Sequence, residues 1–350
     1  MKCLVQVPCM LQHRIIANAT QDLIDGNIVA GIKDFDNRTR ILQKYIIKKN
    51  PKKMDLIVLG SSRSFYIRKH YFKNEISFFN HSVGAATLED YIGFIGIYNK
   101  YQKYIPNSII LGIDPWVFNK HNGMERWKYI SQYYYYSINL INKNVKTKYI
   151  IKTSDLFKQF FVIDKSTSCL YYLNFKNKLR YFITSNTETD DWLIFPDGSV
   201  EYPYIYRYTD NEVALNKARV LPHSRVFGLE KFNKLSNVEL FVVFINYLLQ
   251  NNVNIYFFLH PYHPISYKNF TDNNKYKIIV DVENYLIKLS KSKNIQILGS
   301  YNPEMLETCD EDYFDKMHGY ENVTHKILAN SFGDFQVTSS HSAKMNASVV

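Results

Sequence analysis

The sequence predicts a three-layer α/β/α fold in which about five parallel strands carry helices on both faces and one aromatic-rich segment is inserted. Three observations predict it: short apolar runs with little alternation, amphipathic stretches between those runs, and glycine or acidic turn residues at their carboxyl ends. Runs of this kind suit strands buried on both faces of a parallel sheet. Their regular exchange with helices argues for a doubly wound topology.

Each element follows in chain order. Asp36 to Lys48 reads as an amphipathic helix with Ile41, Leu42, Tyr45 and Ile46 on one side. Asp55-Leu-Ile-Val-Leu-Gly60 is the first strand, and Ser64 to Tyr71 reads as the start of a helix. Ser77 to Val83 is the second strand, closing at Gly84. Thr87 with Asp90 three residues on signals a helix start, so a helix is expected from Leu88 to Tyr104, stopped by Pro106 and Asn107. Ser108 to Ile113 is the third strand and runs into Asp114-Pro115.

From Trp116 to about Leu229 the alternation is lost, aromatic residues cluster, and the turn Pro196-Asp-Gly-Ser199 appears. This stretch reads as an insertion, with a helix near Tyr149 to Val162. The rhythm returns with a helix Val238 to Asn251, a strand Val253 to Leu259, a helix Tyr276 to Lys291, a strand Ile295 to Leu298 and a last helix Val323 to Ser331. The chain thus divides into an N-terminal segment 1–35, an α/β domain 36–331 with the insertion at about 116–229, and a polar tail 332–350 expected to be disordered. Five parallel strands wound in this way correspond to the flavodoxin-like class.

Composition narrows the function. The 43 Lys and Arg against 32 Asp and Glu give +11, a balance compatible with an anionic polymer or a membrane surface. The lysines are scattered, however, and runs such as Lys48-Lys49-Asn50-Pro51-Lys52-Lys53 lie between elements, where they read as solvated linkers. Nucleic acid is therefore not an expected partner. Cys3, Cys9, Cys169 and Cys309 form neither a CxxC pattern nor a disulfide framework. The apolar run Leu240 to Leu249 is shorter than the roughly 20 residues of a membrane helix, and Met1 to Met10 lacks the charged start and apolar centre of an export signal. On these features alone the expectation is a cytoplasmic chain. No P-loop or dinucleotide fingerprint is present, and neither cofactor nor metal is expected.

In a doubly wound sheet ligands gather beyond the carboxyl ends of the strands. The residues found there are Gly60-Ser61-Ser62-Arg63, Gly84, Asp114, His260-Pro-Tyr-His263 and, after the last strand, Asp315-Lys-Met-His318. A serine nucleophile needs a general base, and the base needs a partner that holds its tautomer. Asp315 and His318, three positions apart on a turn, supply both: the carboxylate reaches Nδ1 and leaves Nε2 for Ser62. The backbone N–H groups of Ser62 and Gly84 are the candidate oxyanion donors.

These blocks resemble the SGNH hydrolase superfamily, also called GDSL-like esterases, in which a Gly-Asp-Ser motif follows the first strand; here it reads Gly60-Ser61-Ser62. The second block of that family is similar to Asn80-His-Ser-Val-Gly84, and its Asp-x-x-His block to Asp315 through His318. Gly-Ser-Ser-Arg with a late Asp-x-x-His looks most like the SGNH-like proteins of bacterial envelope polysaccharide and teichoic-acid loci, which include O-acyltransferases as well as esterases. The resemblance implies Ser62 as nucleophile, His318 as base, Asp315 as its orienting carboxylate, and Ser62 with Gly84 as oxyanion donors. It also implies an O-acyl ester of a carbohydrate as substrate, envelope machinery as partner and work at or outside the membrane. One position departs: where the family commonly carries an Asn donor after the third strand, this chain has Asp114, and an ionised carboxylate cannot donate to an oxyanion. Either Asp114 faces elsewhere or activity is altered. Arg63 could pair with Asp114 or hold an anionic substrate.

Each signal has a plainer explanation. A lone Gly-Ser-Ser turn is usually a connection, and Asp-x-x-His alone is as weak; their joint occurrence at strand ends carries the argument. A decayed, non-catalytic SGNH-like domain that binds glycan or an assembly partner is the competing reading. His260 and His263, each followed by a proline (Pro261 and Pro264), sit on a stiff loop without a completing carboxylate or cysteine, so Tyr262 and His263, with Arg63 and Asp114, are candidate pocket residues rather than metal ligands. Trp116, Trp127 and Trp192 are expected to serve core packing or docking of the insertion before any stacking on sugar.

Overall fold

The computed structural model describes residues 14–144, 180–220, 226–274 and 276–331. Among the described residues, nine strands lie in two sheets. The larger contains β2 (Leu56–Leu59), β3 (Phe78–Asn80), β4 (Ser108–Gly112), β8 (Asn254–Leu259) and β9 (Gln296–Gly299), in the order β3-β2-β4-β8-β9 and parallel throughout. Counting only its own strands, the order is 2-1-3-4-5. Register is continuous across it: Val58 pairs with Asn80 and Ile110, and Phe257 with Leu111 and Ile297.

Burial on both sides explains why these strands read as unbroken apolar runs. Ile57, Leu59, Ile109, Leu111 and Phe257 face a core shared with the helices Phe35–Lys49, Leu88–Ile97, Val238–Gln250 and Ile278–Lys293. Their neighbours Leu56, Val58, Ile110, Phe258 and Leu298 face the other way, against Ile67, Tyr71, Phe72 and the helix Glu321–Ser331 through Val323 and Ile327. The period-two division of strand residues between two helical layers gives an α/β/α arrangement.

Several elements differ from the sequence reading. No helix forms over Ser64 to Tyr71; only the 3₁₀ turns Ser62–Ser64 and Lys69–Tyr71 do. The buried Asn80 side chain donates to the carbonyls of Ser64 (2.8 Å) and Ile67 (2.9 Å) and so holds this stretch in its non-helical path. The helix begun at Leu88 ends at Ile97 and passes into a π turn, Tyr98–Gln102, closed by Lys103 in left-handed backbone at φ 60°. Its start is as expected: Asp90 Oδ2 accepts from Thr87 N at 2.9 Å. β3 is shorter than the run Ser77 to Val83, yet the chain stays beside β2, with His81 N donating to the Val58 carbonyl at 2.9 Å and Val83 N to the Gly60 carbonyl at 3.0 Å. That continuation delivers Gly84 next to the turn after β2.

The described part of the inserted segment is more regular than its sequence suggested. It contains the helices Ser131–Asn144 and Asn211–Arg219, and the strands β5 (Phe182–Ile183), β6 (Leu193–Ile194) and β7 (Val200–Glu201). These three build a second, antiparallel sheet together with β1 (Val29–Ala30), in the order β5-β1-β6-β7. Residues before 36 are therefore woven into the insertion. Pro196 to Ser199 closes the β6–β7 hairpin, with Gly198 at φ 79° and the Asp197 carbonyl accepting from Asn80 N at 2.8 Å. The helix read near Tyr149 to Val162 and the tail 332–350 lie outside the described residues. Among the described residues no helix is long and apolar enough to cross a membrane.

The helix Leu88–Ile97 packs closely on Ser131–Asn144. A Cβ on Gly96 would stand 2.3 Å from the Tyr133 carbonyl oxygen and 2.7 Å from Ser137 Oγ. Alanine ordinarily favours a helix by about 1 kcal/mol over glycine, but here the two helices must separate to admit it. Gly96→Ala is expected to lower stability by roughly 1–3 kcal/mol in urea unfolding.

Candidate active site

Ser62 opens the 3₁₀ turn that follows β2, and Ser61 Oγ accepts from Arg63 N at 3.2 Å to fix that turn. Glycine is required before it: a Cβ on Gly60 would lie 2.4 Å from Ser64 Oγ. At the far end of the chain, Asp315 Oδ1 accepts from Met317 N and His318 N, both at 2.8 Å, folding residues 315–318 into a tight turn. Its other oxygen, Oδ2, lies 2.8 Å from His318 Nδ1. His318 Nε2 in turn lies 2.9 Å from Ser62 Oγ, across 256 residues of sequence. A carboxylate only accepts hydrogen bonds, so Nδ1 is the donor to Asp315 and the neutral ring offers Nε2 as acceptor to the serine hydroxyl.

Electrostatics supports ionised Asp315. Burial works to raise its pKa, but facing His318 and the three hydrogen bonds outweigh burial and hold the carboxyl at about 2. A carboxyl lowered in the folded state stabilises the fold above its unfolded pKa near 3.8, and that contribution is lost as pH falls towards 2. Asp315→Asn is accordingly expected to be less stable than wild type at neutral pH, with the gap closing between pH 4 and pH 2 in acid-unfolding curves.

The imidazole is held by aromatic rings. Phe314 stacks on His318 with centroids 5.7 Å apart and planes 4° from parallel, and the Tyr202 ring packs on both. Tyr202 also donates to the Ser62 carbonyl at 2.8 Å. Ser62, Gly84 and His318 open into a cavity of about 500 Å³, whose remaining wall is largely the inserted segment, including Met124, Arg126, Trp192, Tyr202 and Tyr206. Trp192 stacks on Phe35 at 4.7 Å and lines this cavity as well, so it serves both packing and the pocket.

Gly84 is held from behind. Buried Arg40 donates to the Gly84 carbonyl at 3.1 Å while clasping Asp90 through two bonds of 2.7 and 2.8 Å. Ala85 follows in left-handed backbone, φ 51°, a strained conformation for a residue with a Cβ.

The four candidate pocket residues lie elsewhere. Arg63 is buried and donates to Asp114 at 2.7 Å, to the Met317 carbonyl at 3.0 Å, and to the carbonyls of His260 and Pro261. Its guanidinium rests on the Tyr262 ring at 4.1 Å. It is thus a clamp beneath the cavity, joining the turn that bears Ser62 to the loop that bears His318. Asp114 faces that clamp; burial raises its pKa and Arg63 opposes the rise. Tyr262 is spent as the platform under Arg63. His263 Nδ1 accepts from Ile265 N at 3.2 Å, capping the helix Pro264–Asp272, which leaves its ring buried and away from the cavity. Burial, aided by Arg63, pushes the His260 pKa well below the usual range.

Sequence reasoning missed Asp36, Arg126, Tyr202 and Phe314 as cavity residues. Phe314 precedes Asp315 directly and was within reach of the motif, whereas Tyr202 and Arg126 come from a segment without periodicity. No protein-family model matches this chain, and no curated protein matches it.

Proposed function

We propose that this chain is an SGNH-type serine esterase or O-acyltransferase that acts on an O-acyl ester of a carbohydrate through an acyl-serine intermediate. The observation that carries the reading is the unbroken hydrogen-bonded series Ser62–His318–Asp315 opening into a cavity. The 2-1-3-4-5 strand order is the one flavodoxin-like folds use, in keeping with that superfamily.

In the proposed reaction Ser62 Oγ attacks the ester carbonyl as His318 Nε2 takes its proton, and Asp315 stabilises the imidazolium. The backbone N–H groups of Ser62 and Gly84 receive the developing oxyanion. Collapse expels the alcohol, which recovers the proton from His318, and leaves the acyl group on Ser62. Water then gives hydrolysis, while a sugar hydroxyl gives transfer; the first half-reaction is the same. Aromatic faces at Trp192, Tyr202 and Tyr206 suit the C–H face of a sugar ring. The envelope setting of the resembling proteins makes membrane-associated machinery the proposed partner, and no step calls for a cofactor.

Asp114 favours a second reading. With its carboxylate committed to Arg63, no side chain after β4 replaces the customary Asn donor, and a silent glycan-binding module would keep the same cleft. A fluorophosphonate probe separates the two. Labelling of wild type that is lost in Ser62→Ala supports the enzyme; folded wild type that stays unlabelled leaves the binding module.

A further inference from the structure

We infer that Arg126 forms a carboxylate seat beside Gly84 and that the substrate is an acidic one: an O-acylated sugar bearing its own carboxylate, which takes the place Asp36 holds in the resting site. The inference rests on the serine-esterase reading and names its substrate class.

Arg126 comes from the 3₁₀ turn Arg126–Ile130 of the insertion, and Asp36 from the first turn of the helix Phe35–Lys49. Their side chains meet at 3.1 Å, and both line the cavity that holds Ser62 and His318. The seat is therefore already shown to accept a carboxylate, that of Asp36. It is also accessible, with the Arg126 side chain 33% and the Asp36 side chain 45% exposed. Ion pairs of such exposure are weak, so exchanging one carboxylate for another costs little, and the planar guanidinium fork suits a carboxylate better than it suits hydroxyls. Arg40 and Arg63, the neighbouring guanidiniums, are buried and already bonded to Asp90 and Asp114.

The pair also presses on the proposed oxyanion donor. A Cβ at Gly84 would stand 2.0 Å from Asp36 Oδ1 and 3.7 Å from Arg126 Nη1. In the resting site the Asp36 carboxylate thus packs directly against Gly84, next to the proposed oxyanion donor. A substrate carboxylate that captures Arg126 releases Asp36 from that position. The acidic substrate is thereby seated beside Gly84 by one arginine, and the exchange of carboxylates sets the selectivity.

Acetate release from an acetylated methyl glucuronoside and from the matching acetylated methyl glucoside tests this. Wild type is expected to favour the acidic sugar by about threefold to fivefold in kcat/KM, the ratio a partly exposed ion pair can supply. Arg126→Gln should bring that ratio towards one, and Asp36→Asn, which removes the internal competitor, should raise kcat/KM for the acidic sugar. Equal use of the two sugars by wild type, or a ratio unmoved in Arg126→Gln, overturns the inference. If Arg126→Gln does not fold, Asp36→Asn decides alone, since unchanged use of the acidic sugar overturns it too. Fluorophosphonate labelling of the same samples separates the two failures. Unlabelled, folded wild type removes the esterase reading itself, whereas full labelling with equal use of both sugars removes only the carboxylate seat.

Discussion

His318→Ala is expected to lower turnover of a small activated ester by roughly ten-thousandfold or more. The ring, the proposed base, does two things at once: its Nε2 accepts from Ser62 Oγ at 2.9 Å, and its Nδ1 is held by Asp315 at 2.8 Å. Without it Ser62 is an ordinary hydroxyl whose proton has nowhere to go as the oxygen attacks. The loss should be about as large in Ser62→Ala and little larger in the double variant, because members of one proton relay act as a unit. Burst and steady-state kinetics on p-nitrophenyl acetate measure it. A His318→Ala protein that retains a tenth of wild-type turnover would mean another group carries the proton.

The second large effect is on stability. Arg63→Met is expected to cost about 3–5 kcal/mol in urea unfolding, the range for breaking a buried ion pair from one side. The variant leaves the Asp114 carboxyl without its counter-charge in a buried position, and it strips donors from the carbonyls of Met317, His260 and Pro261. Asp114→Asn should cost less, because an amide oxygen still accepts from the guanidinium and the three carbonyl bonds survive. Since Arg63 ties the Ser62 turn to the His318 loop, ester turnover should fall along with stability in Arg63→Met. A loss of less than about 1 kcal/mol would place that clamp among the weak surface-like pairs.

The parallel sheet was legible because burial on both faces leaves a plain mark: runs of Ile, Leu, Val and Phe ending in glycine or an acid. Ser62, Asp315 and His318 were legible for a related reason, since strand ends are where a doubly wound sheet presents side chains, and hydroxyl, carboxylate and imidazole there are chemically telling. Arg63 and Asp114 were visible as a pair but not as a buried one. Their strands β2 and β4 are neighbours in the sheet, so opposite charges at adjacent strand ends find each other before any ligand does. Tyr262 and His263 read as pocket residues because they follow β8, yet one lies under a guanidinium and the other caps a helix. Those uses depend on where distant segments fold, which local pattern does not encode. The cavity wall was the least legible part. Two-residue strands such as β6 and β7 are too short to impose a period, and β1, which pairs with β6, lies more than a hundred residues away in sequence.

That partnership bears on how the chain can be shortened. A fragment cut at residue 36 to keep only the α/β body would lose the ribbon between β5 and β6, together with Phe35 on which Trp192 rests. The exposed pair Phe182 and Ile183 would be stranded, and β6 would offer bare amides and carbonyls to any passing chain. Such a fragment would be prone to stick to itself while retaining Ser62, Asp315 and His318, so its silence in an assay would speak of a collapsed roof before it spoke against the proposed chemistry.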